Sequence, residues 1–210
     1  VALSVLKDLG YGNLDDVEFV IEISKQSPDI ALGVDKDGAG DQGIMYGFAT
    51  SESKELMPLP IVLARKIAIK MDELTKEIPE LFGSDGKCQV SIAYDGFDNP
   101  VKVTTIIVSQ QTQPKVDRDF YTSFIIEECL KKVIPSWLVI EETKVLINPT
   151  GEFVKGGPYA DSGLTGRKII CDTYGGVGRH GGGAFSGKDP TKVDRCAAYY
   201  ARYVAKNVVA

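Results

Sequence analysis

Apolar residues recur along this chain with two different periods, and the switches between them predict most of its elements. Val1, Leu3, Val5, Leu6 and Leu9 share one helical face, which predicts a helix to about Gly10. Val17 to Ile23 (VEFVIEI) then alternates with period two, the pattern of a half-buried strand, until Ser27-Pro28-Asp29 breaks it. A glycine-rich loop from Ile30 to Gly43 follows, and Ile44 to Phe48 is a short strand candidate. Between Met57 and Lys76, Ile61, Ala64, Ile67, Ala68, Met71 and Leu74 return at helical spacing, with Pro58 and Pro60 near the start where prolines are tolerated. Gln89 to Tyr94 and Val101 to Ser109 are β-branched alternating runs joined by the turn-rich DGFDNP, which predicts an antiparallel hairpin. Asp117 can cap a helix running to about Val133, with Phe120, Phe124, Ile125, Cys129 and Leu130 on one side, and Lys144 to Ile147 is strand-like up to Asn148-Pro149. Helix, hairpin, helix and strand in one block, about 51–156, predict an α+β unit with helices on one face of a mixed, mainly antiparallel sheet.

Composition narrows the class without naming it. Of 210 residues, 43% are hydrophobic and 25% charged, the mixture of a folded globular protein with a substantial core. The net charge of -5 argues against a general binder of nucleic acid or of anionic membranes, so neither partner is expected. No apolar run is long enough to span a bilayer and VALSVLKDLGYG lacks the features of a secretory signal, so a cytoplasmic protein is expected. Cys88, Cys129, Cys171 and Cys196 form no CxxC pair and are expected to be reduced thiols. The chain opens inside one helical pattern and closes inside another without caps, so both ends are expected to be cut.

Chemistry concentrates late in the chain. Twelve of the 22 glycines fall within residues 151–190, and residues 151–195 carry seven Lys or Arg against five Asp or Glu, a reversal of the acidic average. Two phosphate motifs match there as text. Gly176, Gly178 and Gly181 satisfy GxGxxG after the strand-like KIICDTY, but HGGGAFSGKDP is a poor start for the helix that a dinucleotide site requires. Gly182, Gly187 and Lys188 satisfy GxxxxGK, yet Asp189 stands where a phosphate loop needs Ser or Thr. The physics beneath both motifs survives: glycines let backbone N–H groups approach an anion, lysines add charge, and interspersed carboxylates can take a metal. Such a segment suits a magnesium polyphosphate, and equally a solvated glycine loop with incidental charges.

Four stretches break the tie: KQSPDI (Lys25 to Ile30), GAGDQG (Gly38 to Gly43), DSGLTGRKIICDTYGG (Asp161 to Gly176) and HGGGAFSGKDPTKVDR (His180 to Arg195). They closely resemble the S-adenosylmethionine synthetase (methionine adenosyltransferase) family, and the likeness extends through INPTGEFVKGGP and AAYYARYVAKN to essentially the whole chain. The resemblance implies that the methionine sulfur attacks C5′ of ATP, that intact triphosphate leaves, and that it is hydrolysed to pyrophosphate and phosphate. It implies magnesium (Mg2+), a pair of ions per site, and potassium (K+), with ATP and L-methionine as substrates. A homodimer or dimer of dimers with shared active sites follows from it as well.

Carried over position by position, the resemblance puts Asp85, Gly86 and Lys87 beside ATP and Phe153 near the adenine. Arg167, Lys168 and Lys188 hold the triphosphate, Ala184 touches it from the loop, and Asp194 is a magnesium ligand. Lys192 and Asp161 line the shared ATP and methionine pocket, and Gln26 with Asp41 contact methionine. Lys87, Arg167, Lys168, Lys188 and Lys192 form the catalytic set, and Gln26 to Lys36 is a mobile gate. His180, the one histidine, receives no catalytic role. The implied architecture is interleaved α+β subdomains: 52–156 nearly complete, 1–29 with 157–196 a partial central one, and 30–51 with 197–210 the remnant of a third.

Departures from the family pattern define an alternative. The GHPDK segment, the acidic potassium site and a methionine-contacting glutamate would all lie before Val1. The final third of the fold would lie after Ala210. Glu152 stands where the family often has a basic residue beside the nucleotide. A truncated, catalytically silent homologue that binds ATP or regulates a full-length partner is therefore the second reading.

Overall fold

Helical periodicity at the start of the chain yields α1 (Ala2–Asp8), a second short helix, α2 (Pro28–Val34), starts at the expected break, and no residue of either is buried. The computed structural model describes residues 1–11, 14–15, 17–36, 38–139 and 141–210. Asp37, in the middle of the loop expected from Ile30 to Gly43, lies outside the described residues. The N-terminal part of that loop is helical, because Pro28 occupies the first turn of α2, where its missing N–H costs nothing. Residues 17–23 do not form the expected strand, and Val20, Ile21 and Ile23 are exposed. Period-two alternation marks only the capacity to pair. Among the described residues no strand runs beside this segment to complete a ladder. Residues 44–48 are likewise outside any strand.

The chain divides into two compact units, Thr50–Gly163 on the one hand and Val1–Ala49 with Leu164–Ala210 on the other. In the first, α3 (Leu59–Glu77) places Leu59, Leu63, Ile67, Met71 and Leu74 on one buried stripe. The predicted hairpin is longer than its sequence signal, with β1 (Phe82–Tyr94) paired antiparallel to β2 (Pro100–Thr112). A register shift opposite Ser91 and Ile92 leaves Thr104 as an extra residue in β2. That bulge changes the parity of the strand, so that Val103 and Ile106 are both buried. Thr104 spends its hydroxyl on the Ser91 carbonyl at 3.2 Å.

Asp117 caps α4 (Arg118–Ile125) by accepting the Phe120 N–H at 2.8 Å, and the helix continues through a π turn (Ile126–Leu130) into α5 (Lys131–Val133). Tyr121, Ile125, Cys129 and Leu130 join the stripe of α3 over the sheet in a single core. β3 (Lys144–Ile147) adds to β2 in parallel, so the sheet is mixed, ordered β1-β2-β3. The α+β expectation is met. All four cysteines are thiols. Burial of Cys129 pushes its thiol up to about 12, which makes it an inert core residue.

The second unit is built around α6 (Val193–Val209) and long glycine-containing loops. Residues 169–176 run as turns rather than the strand suggested by KIICDTY, and no helix begins at residues 180–187. Backbone crowding explains part of this sequence. A Cβ at Gly47 would stand 1.9 Å from the Ala201 carbonyl oxygen of α6, so only glycine lets the two segments touch. Arg202 reinforces the contact by donating to the Phe48 carbonyl at 2.8 Å, and Tyr174 is buried against Phe48 with ring centroids 5.8 Å apart. No described helix is long and apolar enough to cross a membrane.

Candidate functional site

The loop that leads into α6 gathers the charged residues singled out by sequence. Lys188 lies 2.6 Å from the Asp194 carboxylate, and both side chains are about one-third exposed. Asp194 sits in the first turn of α6, where an acid is favoured by the unpaired N–H groups of the helix start. Gly183 is needed beside it, since a Cβ there would stand 2.3 Å from Asp194 Oδ1. Arg195 holds the return of the loop by donating to the Lys188 carbonyl at 2.5 Å and packs its guanidinium 5.6 Å from the Tyr199 ring centre.

Lys192, at the N-cap position of α6, donates to Gln26 Oε1 at 2.8 Å and to Asp189 at 3.2 Å. Gln26 precedes α2, so residues more than 160 apart in sequence meet at this point. Asp189 also accepts from the Thr191 hydroxyl and backbone N–H. These Thr191 bonds, followed by the Lys192 contact, hold its carboxyl down at about 2. Gly182 N–H donates to His180 Nδ1 at 2.7 Å, which pins the loop.

Other predicted residues of this unit lie nearby in chain but are not all joined. Ala184 approaches Gly166, to within 2.9 Å of where a Cβ would lie, which brings the loop beside Arg167. Arg167 and Lys168 are exposed and make no ion pair with any described residue. Asp41 is exposed and accepts from the N–H of Gln42 at 2.7 Å. No hydrogen bond joins Asp41 to Gln26 or Lys192 among the described residues.

The remaining candidates belong to Thr50–Gly163. Asp85 accepts the Gly157 N–H at 2.9 Å, and its own N–H donates to Gln111 Oε1 at 3.2 Å. Gln111 Nε2 in turn donates to the Val154 carbonyl at 2.9 Å, and Phe153 receives the Thr112 N–H through its carbonyl at 2.8 Å. Asp85 and Phe153 are thus tied through Gln111 and the end of β2. Gly86 and Lys87 are exposed on β1, opposite Gln110 and Ser109. Asp161 is exposed, its N–H donating to the Gly157 carbonyl at 3.2 Å. Sequence reasoning passed over Gln111 and Arg195. Gln-Gln at the end of a β-run was the available signal for the first, and nothing but its position closing a long motif marked the second.

The donor set also bears on metal. No group of three or more His, Cys, Asp or Glu side chains gathers among the described residues. Asp194, in the first turn of α6 amid cations, fits magnesium in the mode where one or two carboxylates and substrate phosphates share the ion with water. It does not fit a dedicated protein cage.

Comparison with known proteins converges on the same assignment as these motifs. Residues 36–153 match the central domain of S-adenosylmethionine synthetase, and residues 155–210 match its C-terminal domain. An S-adenosylmethionine synthase of Petrotoga mobilis (strain DSM 10674 / SJ95) is 49% identical over 229 aligned positions, covering 99% of this chain and 57% of that protein. The chain therefore spans a little over half the length of this curated relative. With the central-domain match covering more than half of its residues, the chain belongs to the S-adenosylmethionine synthetase family.

Proposed function

We propose that the protein carrying this chain synthesises S-adenosylmethionine from ATP and L-methionine, displacing triphosphate and hydrolysing it to phosphate and pyrophosphate. The observation that carries the reading is the cluster of Lys188, Lys192 and Asp194 around the glycine loop and the start of α6. A triphosphate leaving group needs positive charge held in place before the C5′–O bond breaks, because that is where negative charge grows. Lys188 is fixed by Asp194 and its backbone by Arg195, so its ammonium is preorganised for that task. Arg167 and Lys168, exposed without ion pairs, supply further cations to the phosphates. Ala184 contacts the phosphates from the loop, Asp85, Gly86, Lys87 and Phe153 position the nucleoside, and Gln26, Asp41, Asp161 and Lys192 receive methionine.

Magnesium supplies Lewis-acid charge on the phosphates, with Asp194 as the protein's ligand. Potassium is assigned to no residue of this chain. The cytoplasm is the expected compartment, and a homodimer or dimer of dimers the expected assembly. The test is steady-state kinetics on the complete polypeptide. Lys188→Ala lowers kcat by about a hundredfold or more, the scale for removing one preorganised electrostatic group, whereas Lys188→Arg retains part of it. A Lys188→Ala enzyme with unchanged kcat overturns the assignment.

A further inference from the structure

A cavity of about 280 Å³ opens between the end of β2, the first turn of α4 and the segment after β3; none of its lining residues belongs to the catalytic or binding set above, although Glu152 and Val154 flank Phe153. Its polar wall is Thr112, Gln113, Lys115, Arg118, Tyr121 and Glu152, with Val116 and Val154 as an apolar side. Tyr121 is only 2% exposed, yet its hydroxyl bonds to no described residue. No fully buried side-chain oxygen or nitrogen lacks a partner among the described residues, so this hydroxyl must reach open space, and the cavity it lines is that space. A buried phenol ordinarily spends its O–H on a partner.

Two cations face the same space. Neither Lys115 nor Arg118 makes an ion pair among the described residues, and Lys115 is held at φ 64°, a left-handed conformation that lysine rarely adopts. One nitrogen of Arg118 donates to the Asn148 carbonyl at 3.2 Å, which anchors the guanidinium and leaves its other N–H groups available.

We propose that this cavity binds a small monocarboxylate with an apolar body. Lys115 and Arg118 hold the carboxylate, the Tyr121 hydroxyl donates to it, and Val116 and Val154 cover the apolar part. Glu152 on the wall sets the charge limit, since a second anionic group beside its carboxylate is repelled. The site adjoins Phe153 through Glu152 and Val154 but uses none of the residues assigned to ATP or methionine.

Benzoate is the probe and benzamide its uncharged isostere, both titrated into the isotopically labelled protein while amide resonances are followed by NMR. Benzoate shifts residues 112–118 and 151–154, benzamide does not, and Tyr121→Phe or Lys115→Gln weakens benzoate binding about tenfold or more, the scale of one hydrogen bond to a charged group. Lys188→Ala leaves benzoate binding unchanged, which separates this site from the triphosphate cluster. Absence of shifts in both segments at millimolar benzoate, equal shifts with benzamide, or undiminished affinity in Tyr121→Phe overturns the proposal.

Discussion

Asn148 shows how much of this fold rests on single side chains. It lies at φ 42° with 1% exposure, and its carboxamide accepts the Gln110 N–H at 2.8 Å while donating to the Gln110 carbonyl at 3.0 Å. The side chain thereby imitates one more residue of β3 after the backbone has turned away. Asn148→Ala leaves two buried backbone groups unpaired and strains the left-handed backbone, so it should cost about 3 kcal/mol by urea denaturation. Asn148→Gly relieves only the backbone strain and should recover about 1 kcal/mol. Asp189 gives a pH prediction of definite sign. Its folded carboxyl, near 2, lies below the ordinary value of 3.8, so its contribution is complete above about pH 4 and is lost as pH falls towards 2. Titration by NMR should find that Thr191→Val moves this carboxyl back towards 3.8. The cations Lys188 and Lys192 and the carboxylate Asp194 were legible in sequence because a glycine-rich basic segment stands out from an acidic chain. Gln111 was not, because a carboxamide bridge depends on register and on which loop crosses the strand end.

Elements were legible where their own neighbours in sequence completed them. The stripe of α3, the hairpin and the Asp117 cap require only local spacing, and each is present. Residues 17–23 and 169–175 carry strand composition without a ladder partner, and they do not become strands. The Thr104 bulge was hidden because a one-residue slip leaves composition unchanged while reversing which side chains are buried. Ile67, fully buried at the centre of α3, should cost about 2–5 kcal/mol as Ile67→Ala, while exposed Ile69→Ala should cost less than about 0.5 kcal/mol. In the other unit, Gly47→Ala forces a methyl group into the Ala201 carbonyl and should destabilise by about 1–3 kcal/mol. Thermal unfolding of these variants checks both elements, and an unperturbed Gly47→Ala would refute the close approach.

Across the whole molecule, the acidic average conceals a division of labour. Residues outside 151–195 carry 17 basic against 24 acidic side chains, while the segment inside carries seven against five. The proposed triphosphate site rests on this local excess around Lys188, Lys192 and the start of α6, while the net charge of -5 opposes nonspecific anion binding. Family membership was readable from the two long glycine motifs because close backbone approach restricts which residues such a loop accepts, as at Gly183 beside Asp194. The decisive measurement is product analysis by mass spectrometry on the complete polypeptide supplied with ATP, L-methionine, magnesium and potassium. The account predicts S-adenosylmethionine, pyrophosphate and phosphate in equal amounts. A folded protein that binds ATP and yields none of them would contradict it.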